Sequence, residues 1–304
     1  MKKISVIIIS YNRPHDLLEL LEDISRLEHR ELLAEVIIVN NKSDADYSAV
    51  EAFIAAFKDC PFQLINAPEN LGVARGRNYA ADFATGDILF FPDDDVTLKD
   101  VHSLQKLVNI FSEENAGERP LGVVSLKVFY KETGDYQVTA FPHKKFDKYR
   151  DKHQFLTSYY AGCAHAKSAE AWKAAGNYPA DFFYGMEEYD FSYRVLDAGY
   201  SIKYDDAILV LHDESPLGRK PKAEKLKMMW LNKSIVAWRY LPKKYFYSTT
   251  ILWSFFFLVK SGFRLSLFFK GRKELRKRIR SEKRRPVSAE TMAYLKKTEA
   301  RLWY

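Results

Sequence analysis

Three adjacent carboxylates, Asp93, Asp94 and Asp95, sit near the end of the stretch GDILFFPDDDVT at residues 86–97. Residues 88–91 form a short apolar run of β-branched and aromatic character, the pattern of a buried strand. Pro92 ends that ladder, because proline has no N–H to donate. The carboxylates therefore stand at the strand's carboxyl end, the edge of an open α/β sheet where ligands bind. Three like charges there repel one another unless a cation is shared among them. Hard oxygen ligands suit Mg2+ or Mn2+. A second acidic pair, Glu187 and Glu188, opens the helix-like segment EEYDFSYRVLDA, with Gly199 placed to terminate it. At a helix N-terminus the dipole lowers a carboxyl pKa, while a neighbouring carboxylate raises it. Asp190 and Arg194 are four apart on the same segment and are spaced to pair.

These residues need a frame. Residues 4–9 are an apolar strand followed by Ser10, Tyr11, Asn12 and Arg13. Pro14 suits the first turn of a helix in which Leu17, Leu18, Leu20, Leu21 and Ile24 recur at helical spacing. Residues 35–39 form a second strand, ending at Asn40, Asn41, Lys42, Ser43 and Asp44, and a helix follows over 48–57. A third strand at 62–65 leads to Asn70, Leu71 and Gly72, then to a helix over 73–84 and the strand before the aspartates. Four strands alternate with three helices in about 95 residues, which predicts a doubly wound α/β fold around a parallel sheet. Every polar cluster falls at a strand's carboxyl end. Further on, the pattern predicts a helix over 104–111, a strand over 121–130 and a loop or hairpin over 131–157. A helix ends near Gly176, and short strands follow at 202–204 and 208–211, with His212 directly after.

The chain of 304 residues has 47% hydrophobic and 15% aromatic residues, enough for a sizeable core. Cys60 and Cys163 have no metal or redox spacing, which fits a reducing compartment. The net charge of +7 hides a split. Residues 1–215 carry 23 Lys and Arg against 35 Asp and Glu, a net −12; residues 216–304 carry 24 against 5, a net +19. The later part holds an aromatic, apolar block at 245–271 and a basic run at 272–285. An apolar helix flanked by basic residues reads as one lying in a membrane interface. Nucleic acid is disfavoured, because the aromatics form one block instead of interleaving with the basic residues as stacking platforms. The opening MKK, followed at once by a strand-like run, does not have the pattern of a signal peptide, and residues 251–259 are too short to span a bilayer.

Taken in order, SVIIISYNR, VNNKSD, NLGVARGRN, FFPDDD, YGMEEYDFSYRVLDAGY, and His212 with Ser215 resemble glycosyltransferase family 2. That resemblance covers residues 1–215 and not the tail. It implies a GT-A fold, Rossmann-like, with a mostly parallel central sheet and helices on both faces. It implies a donor-binding half at 1–100, an acceptor and catalytic half at 101–215, and a helical, basic extension at 216–304. It further implies inverting transfer from a nucleotide-diphosphate sugar. Asp95 matches the family's metal ligand, and Asp93 the contact to ribose or to a metal-bound water. Asp94 would accept a hydrogen bond from the donor. His212 matches a late histidine that can complete the metal site, which favours Mn2+ over Mg2+. Ser10, Tyr11, Asn12, Arg13, Asn40, Asn41 and Ser43 would hold base and ribose. Asn40 stands where the family commonly has Asp, and would accept through its amide oxygen. Asn70 and Asn78 join the donor side, and Arg75 or Arg77 would reach the diphosphate through a guanidinium fork. Glu188 occupies the place of the catalytic base, with Glu187 as the alternative. Phe183, Tyr184 and Gly185 would meet the acceptor, with Tyr159 and Phe182 as further stacking candidates.

The expected activity is metal-dependent transfer of a hexose or N-acetylhexosamine from a UDP- or dTDP-sugar. The expected acceptor is a saccharide or lipid-linked saccharide of a bacterial surface glycan, and the expected location is the cytoplasmic face of the inner membrane, or the cytoplasm. Two other readings compete. DDDVT also fits the nucleophile loop of haloacid dehalogenase-like phosphatases, which is expected on a first strand and not a fourth. A non-catalytic membrane adaptor would show a damaged metal or base position, and neither is damaged.

Overall fold

The computed structural model describes residues 1–113, 119–214, 217 and 221–303. Ser215 and the junction with the basic extension lie outside them. The chain runs β1 (Ile4–Ser10), α1 (Pro14–Arg26), β2 (Leu33–Asn40), α2 (Ser48–Ala56), β3 (Phe62–Asn66), α3 (Gly72–Ala81), β4 (Ile88–Pro92) and β5 (Val96–Leu98). It continues through α4 (Ser103–Ser112), β6 (Leu121–Tyr130), α5 (Phe146–Tyr149), β7 (Gln154–Thr157), β8 (Ala164–Ser168), α6 (Ala169–Ala175), α7 (Glu187–Asp197) and β9 (Ser201–His212). The basic extension contributes α8 (Lys222–Tyr240), α9 (Lys243–Lys260), α10 (Leu265–Ser281) and α11 (Ala289–Lys297).

One sheet organises the molecule, in the order β3-β2-β1-β4-β8-β6-β9-β5, with β7 also paired to β9. The pairings among β3, β2, β1 and β4 are all parallel, as the repeated strand–helix alternation requires. Beyond β4 both senses mix: β8 runs antiparallel to β4 and β6, while β6 and β9 are parallel. Strand β4 is buried along its whole length, as its apolar run predicts. Helix α1 buries Leu17, Leu20, Leu21 and Ile24, one apolar stripe against the sheet.

Two departures from the sequence pattern position the site. The strand β5 directly after the aspartates was not expected. It pairs antiparallel with the end of β9, setting Val96 opposite His212. The short strands expected at 202–204 and 208–211 are the two halves of the single strand β9. A register shift against β6 separates them, with Leu126 opposite Asp205 and Lys127 opposite Leu209. The first half pairs with β7 and the second with β5.

The extension packs onto the second half of the sheet. Trp230, Leu231, Tyr240, Leu295 and Leu302 share one buried cluster with Val123, Phe191, Val195 and Ile202. The Tyr294 hydroxyl donates to the carbonyl of Thr157 at 3.2 Å. The expected apolar helix is divided between α9 and α10, because Gly262 and Phe263 both take positive φ and break it. On the outer side Ile251 and Phe255, each 66% exposed, share α9 with the exposed Phe256 and Val259, and Phe269 of α10 is exposed as well. Among the described residues no helix is long and apolar enough to cross a membrane.

Candidate active site

Three strand ends converge. The loops after β1 and β2 interlock through Tyr47, whose buried hydroxyl lies 2.7 Å from Ser10 Oγ and accepts from Ser43 Oγ at 3.1 Å. Asn12 takes a left-handed φ of 58°, so that its Oδ1 accepts from the amides of Asp44 (2.8 Å) and Ala45 (3.2 Å). Its own amide donates to Ser43 Oγ at 2.9 Å. Tyr11 is half-buried beside them. The sequence reading missed Tyr47, which sits in a polar loop with no periodic signal.

The aspartates split their duties. Arg13 Nη1 reaches Asp94 Oδ1 at 2.8 Å and Asp95 Oδ2 at 3.0 Å. Asp94 is 4% exposed. Burial pushes its carboxyl up to about 7, although Arg13 opposes this by favouring the ionised form. Asp95 Oδ1 faces His212 Nε2 at 3.2 Å, and His212 Nδ1 lies 2.8 Å from Gln137 Oε1. Burial pushes the His212 ring down, but hydrogen bonds to Asp95 and Cys163 outweigh it and raise the ring well above its ordinary range. Asp93, Asp95 and His212 each offer a ligand atom, all within 4.8 Å of one another. Two carboxylate oxygens and one imidazole nitrogen at that separation fit one divalent cation, with Mn2+ better suited than Mg2+ to the nitrogen. The pairing of β5 with β9 creates this meeting.

Arg77, 3% exposed, ties the cation side to the acid pair. Its Nη2 donates to Asp93 Oδ1 and to the Gly162 carbonyl, both at 2.7 Å. Its Nη1 lies 3.4 Å from Glu188 Oε1 and 3.7 Å from Glu187 Oε1. Arg75, the alternative, instead pairs with Glu69 at the surface. Two positions along a helix turn the side chain through about 200°, so one of the two arginines faces the sheet and the other faces solvent.

Several residues expected on the donor side make hydrogen bonds within the fold. Asn78 brackets Tyr178, donating to its carbonyl at 2.9 Å and accepting from its amide at 2.8 Å. Asn41 accepts from the Leu71 amide at 2.9 Å and donates to the Gly72 carbonyl at 3.2 Å. Asn70 Oδ1 accepts from the Gly72 amide at 3.0 Å. The Asn40 amide oxygen, expected to face a base, accepts from the Ser43 amide at 3.0 Å, and its Nδ2 donates to Asn66 at 3.1 Å.

The acidic pair begins α7. Glu187 is buried, and burial together with Glu188 raises its pKa, against the pull of Arg77. Glu188 is more open, its side chain 16% exposed. A Cβ on Gly162 would collide with Glu188 Oε1, so only glycine there leaves the carboxylate its place. Gly185 and Met186 turn the chain into α7 with φ of 79° and 73°. Phe183 and Tyr184 lie just before that turn, and the Phe183 carbonyl accepts from the Val73 amide at 3.0 Å. A Cβ on Gly72 would strike that carbonyl, so the donor-side and acceptor-side loops are in close contact. As expected, Asp190 and Arg194 pair, at 2.9 Å. Tyr159 stacks on Tyr189 and Phe182 is fully buried, so both serve packing.

The fold and this clustering of acids at strand ends define a GT-A glycosyltransferase. The sequence profile described as glycosyl transferase family 2 matches residues 5–167, and the chain belongs to that family. An uncharacterised protein of Haemophilus influenzae is 28% identical over 179 residues, covering 58% of this chain and 92% of its own length. YwdF of Bacillus subtilis, named as an uncharacterised glycosyltransferase, is 36% identical over 150 residues, 44% of this chain and 52% of its own. Among solved structures, the mannosyltransferase PcManGT from Pyrobaculum calidifontis, in complex with GDP-Man and Mn2+, aligns with a TM-score of 0.60 at 17% identity, over 100% of this chain and 81% of that one. GalNAc-T7 with UDP, GalNAc and Mn2+ gives a TM-score of 0.67 at 16% identity, over 99% and 59%. TarS of S. aureus, residues 1–349, gives 0.59 at 17%, over 86% and 74%.

Proposed function

We propose that the protein is an inverting, metal-dependent transferase. It moves a hexose or N-acetylhexosamine from a UDP- or dTDP-sugar to a hydroxyl of a saccharide or lipid-linked saccharide in bacterial surface glycan synthesis. One observation carries this reading: Arg77 binds both a carboxylate of the cation cluster and the acid pair at the start of α7. Leaving group and base are thereby held within reach of one guanidinium. Asp93, Asp95 and His212 would hold Mn2+ or Mg2+, whose positive charge would stabilise the departing diphosphate. Glu188, the more open acid, takes the acceptor hydroxyl proton as that oxygen attacks the anomeric carbon and the bond from that carbon to the donor phosphate oxygen breaks. Glu187 lies buried beneath it, its carboxyl pKa raised by burial and by the neighbouring Glu188. Arg13 keeps Asp94 and Asp95 in place. Phe183, Tyr184 and Gly185 flank the acceptor.

The exposed apolar strip of α9 and α10, beside the basic run of α10, supports seating on an anionic membrane surface at the cytoplasmic face. The solved relatives held with UDP or GDP-Man and Mn2+ support the donor class. Calorimetric titration with UDP, dTDP, GDP and CDP, with and without Mn2+, tests the reading. Micromolar, metal-dependent binding of one of them is expected, lost in Asp95→Ala and kept in Glu188→Gln, which loses transfer. Full transfer activity in both variants would overturn the site assignment. Absence of binding by every nucleotide in a folded sample would overturn the donor class.

A further inference from the structure

The turn that delivers the acid pair is held from the basic extension. Asn232 on α8 is 3% exposed, and its Nδ2 donates to two successive carbonyls, Tyr184 at 3.1 Å and Gly185 at 2.9 Å. An amide group has its oxygen and nitrogen interchangeable in shape, so something must fix which way it points. Arg278 on α10 does so. Its Nη1 donates to Asn232 Oδ1 at 3.0 Å, which forces the amide nitrogen toward the carbonyls. Arg278 Nη2 donates to Asp181 Oδ2 at 2.6 Å, and Arg239 of α8 donates to both oxygens of Asp181 at 3.1 Å. The segment 181–185 is therefore gripped at both ends by side chains of the extension.

That grip has a purpose in the backbone. Met186 takes φ of 73°, a conformation unfavourable for a residue with a Cβ, and it follows Gly185 at 79°. Met186 holds that strained conformation only while its surroundings pin it, since Gly185 takes positive φ freely. Directly after them, Glu187 and Glu188 must meet Arg77, and Glu188 must fit against Gly162. A shift of the turn moves both carboxylates.

Building on the transferase reading above, we propose that Asn232, oriented by Arg278, is a positioning residue for the acid pair, so that the basic extension is a working part of the active site. It acts through the Tyr184–Gly185 carbonyls.

The test uses the full-length chain with Asn232→Leu, Asn232→Gln and Arg278→Met. Hydrogen exchange of the amides at 183–188 is followed by mass spectrometry, alongside steady-state transfer and nucleotide titration with Mn2+. In Asn232→Leu, exchange in that segment is expected to speed up about tenfold and kcat to fall at least tenfold. Nucleotide affinity stays within about twofold, and Asn232→Gln restores part of kcat. Arg278→Met behaves like a weaker Asn232→Leu. Unchanged exchange at 183–188 in Asn232→Leu overturns the proposal. So does a loss of kcat matched by an equal loss of nucleotide affinity and by faster exchange throughout the sheet, which marks a merely structural residue. The exchange readout needs no activity, so a chain that binds no nucleotide defeats the transferase reading while the grip on the turn is still decided.

Discussion

Arg77 Nη2 lies 2.7 Å from Asp93 Oδ1, with the arginine side chain 4% exposed and the aspartate 32%. A buried cation thus meets a carboxylate that opens to solvent on its other side. The arginine neutralises the protein's own acids, and the aspartate retains an open edge for a ligand.

Removing that cation takes away the partner shared by Asp93, Glu188 and Glu187. Arg77→Met is expected to lose about 3–5 kcal/mol of stability, the cost of breaking a buried ion pair from one side. Arg77→Lys supplies charge without the fork and is expected to fall between. Urea unfolding of the three proteins checks the order.

The Gly162 backbone leaves no room for a methyl group beside Glu188. Gly162→Ala is expected to displace that carboxylate and lower kcat on the order of a hundredfold. Nucleotide binding, proposed on the other side of Arg77, is expected to remain. Parallel kinetics and calorimetry on the purified variant separate the two effects.

Glu187 has a folded pKa raised above its ordinary value of 4.5 by burial and by Glu188. Above pH 4.5 the native state therefore keeps a proton that the unfolded state has lost, so this residue's contribution to stability declines as pH rises toward its folded pKa. Glu187→Gln is neutral throughout. Its melting temperature is expected to gain on the wild type steadily as pH is raised above 4.5, and to show no such gain below it. Thermal melts across that range decide; a wild-type curve parallel to the variant's would mean that Glu187 titrates normally.

Ile251 and Phe255 stand on the outer side of α9 and support none of the core. If that face meets lipid, replacing both by Glu forfeits roughly 1.5–3 kcal/mol for each side chain buried. Flotation with phosphatidylglycerol-containing vesicles is then expected to show at least a tenfold weaker association, with an unchanged melting temperature. Equal flotation of variant and wild type would remove the lipid surface from the account.

The first half of the fold was legible because its signals are local. The leucines of α1 recur at helical spacing, and the apolar run of β4 stops at proline. Strand β8 carried no such signal. Its sequence AHAKS has one β-neutral residue after another, and it is a strand because β4 and β6 both pair with it. The aspartates and His212 were visible as residue types, but β5, whose pairing brings them together, is three residues long. Arg75 and Arg77 looked equivalent in the sequence. Only the orientation of α3 on the sheet distinguishes them. Asn40 and Asn78 were assigned to the donor side by the family resemblance. Here the same amides satisfy backbone groups nearby, a competition that spacing does not reveal.

Residues 294–302 fill a cluster that also holds Val123, Val195 and Ile202. On the ribosome, strands β1 to β4 and the helices between them can assemble early. The apolar surfaces of β6, α7 and β9 wait until residues 294–302 have been made. During that interval the nascent chain carries a sticky, half-finished sheet, the state most open to aggregation and to chaperone capture. Late sequence therefore sets the pace of maturation, and a slow stretch of translation inside α9 or α10 would prolong that exposed state without altering any residue.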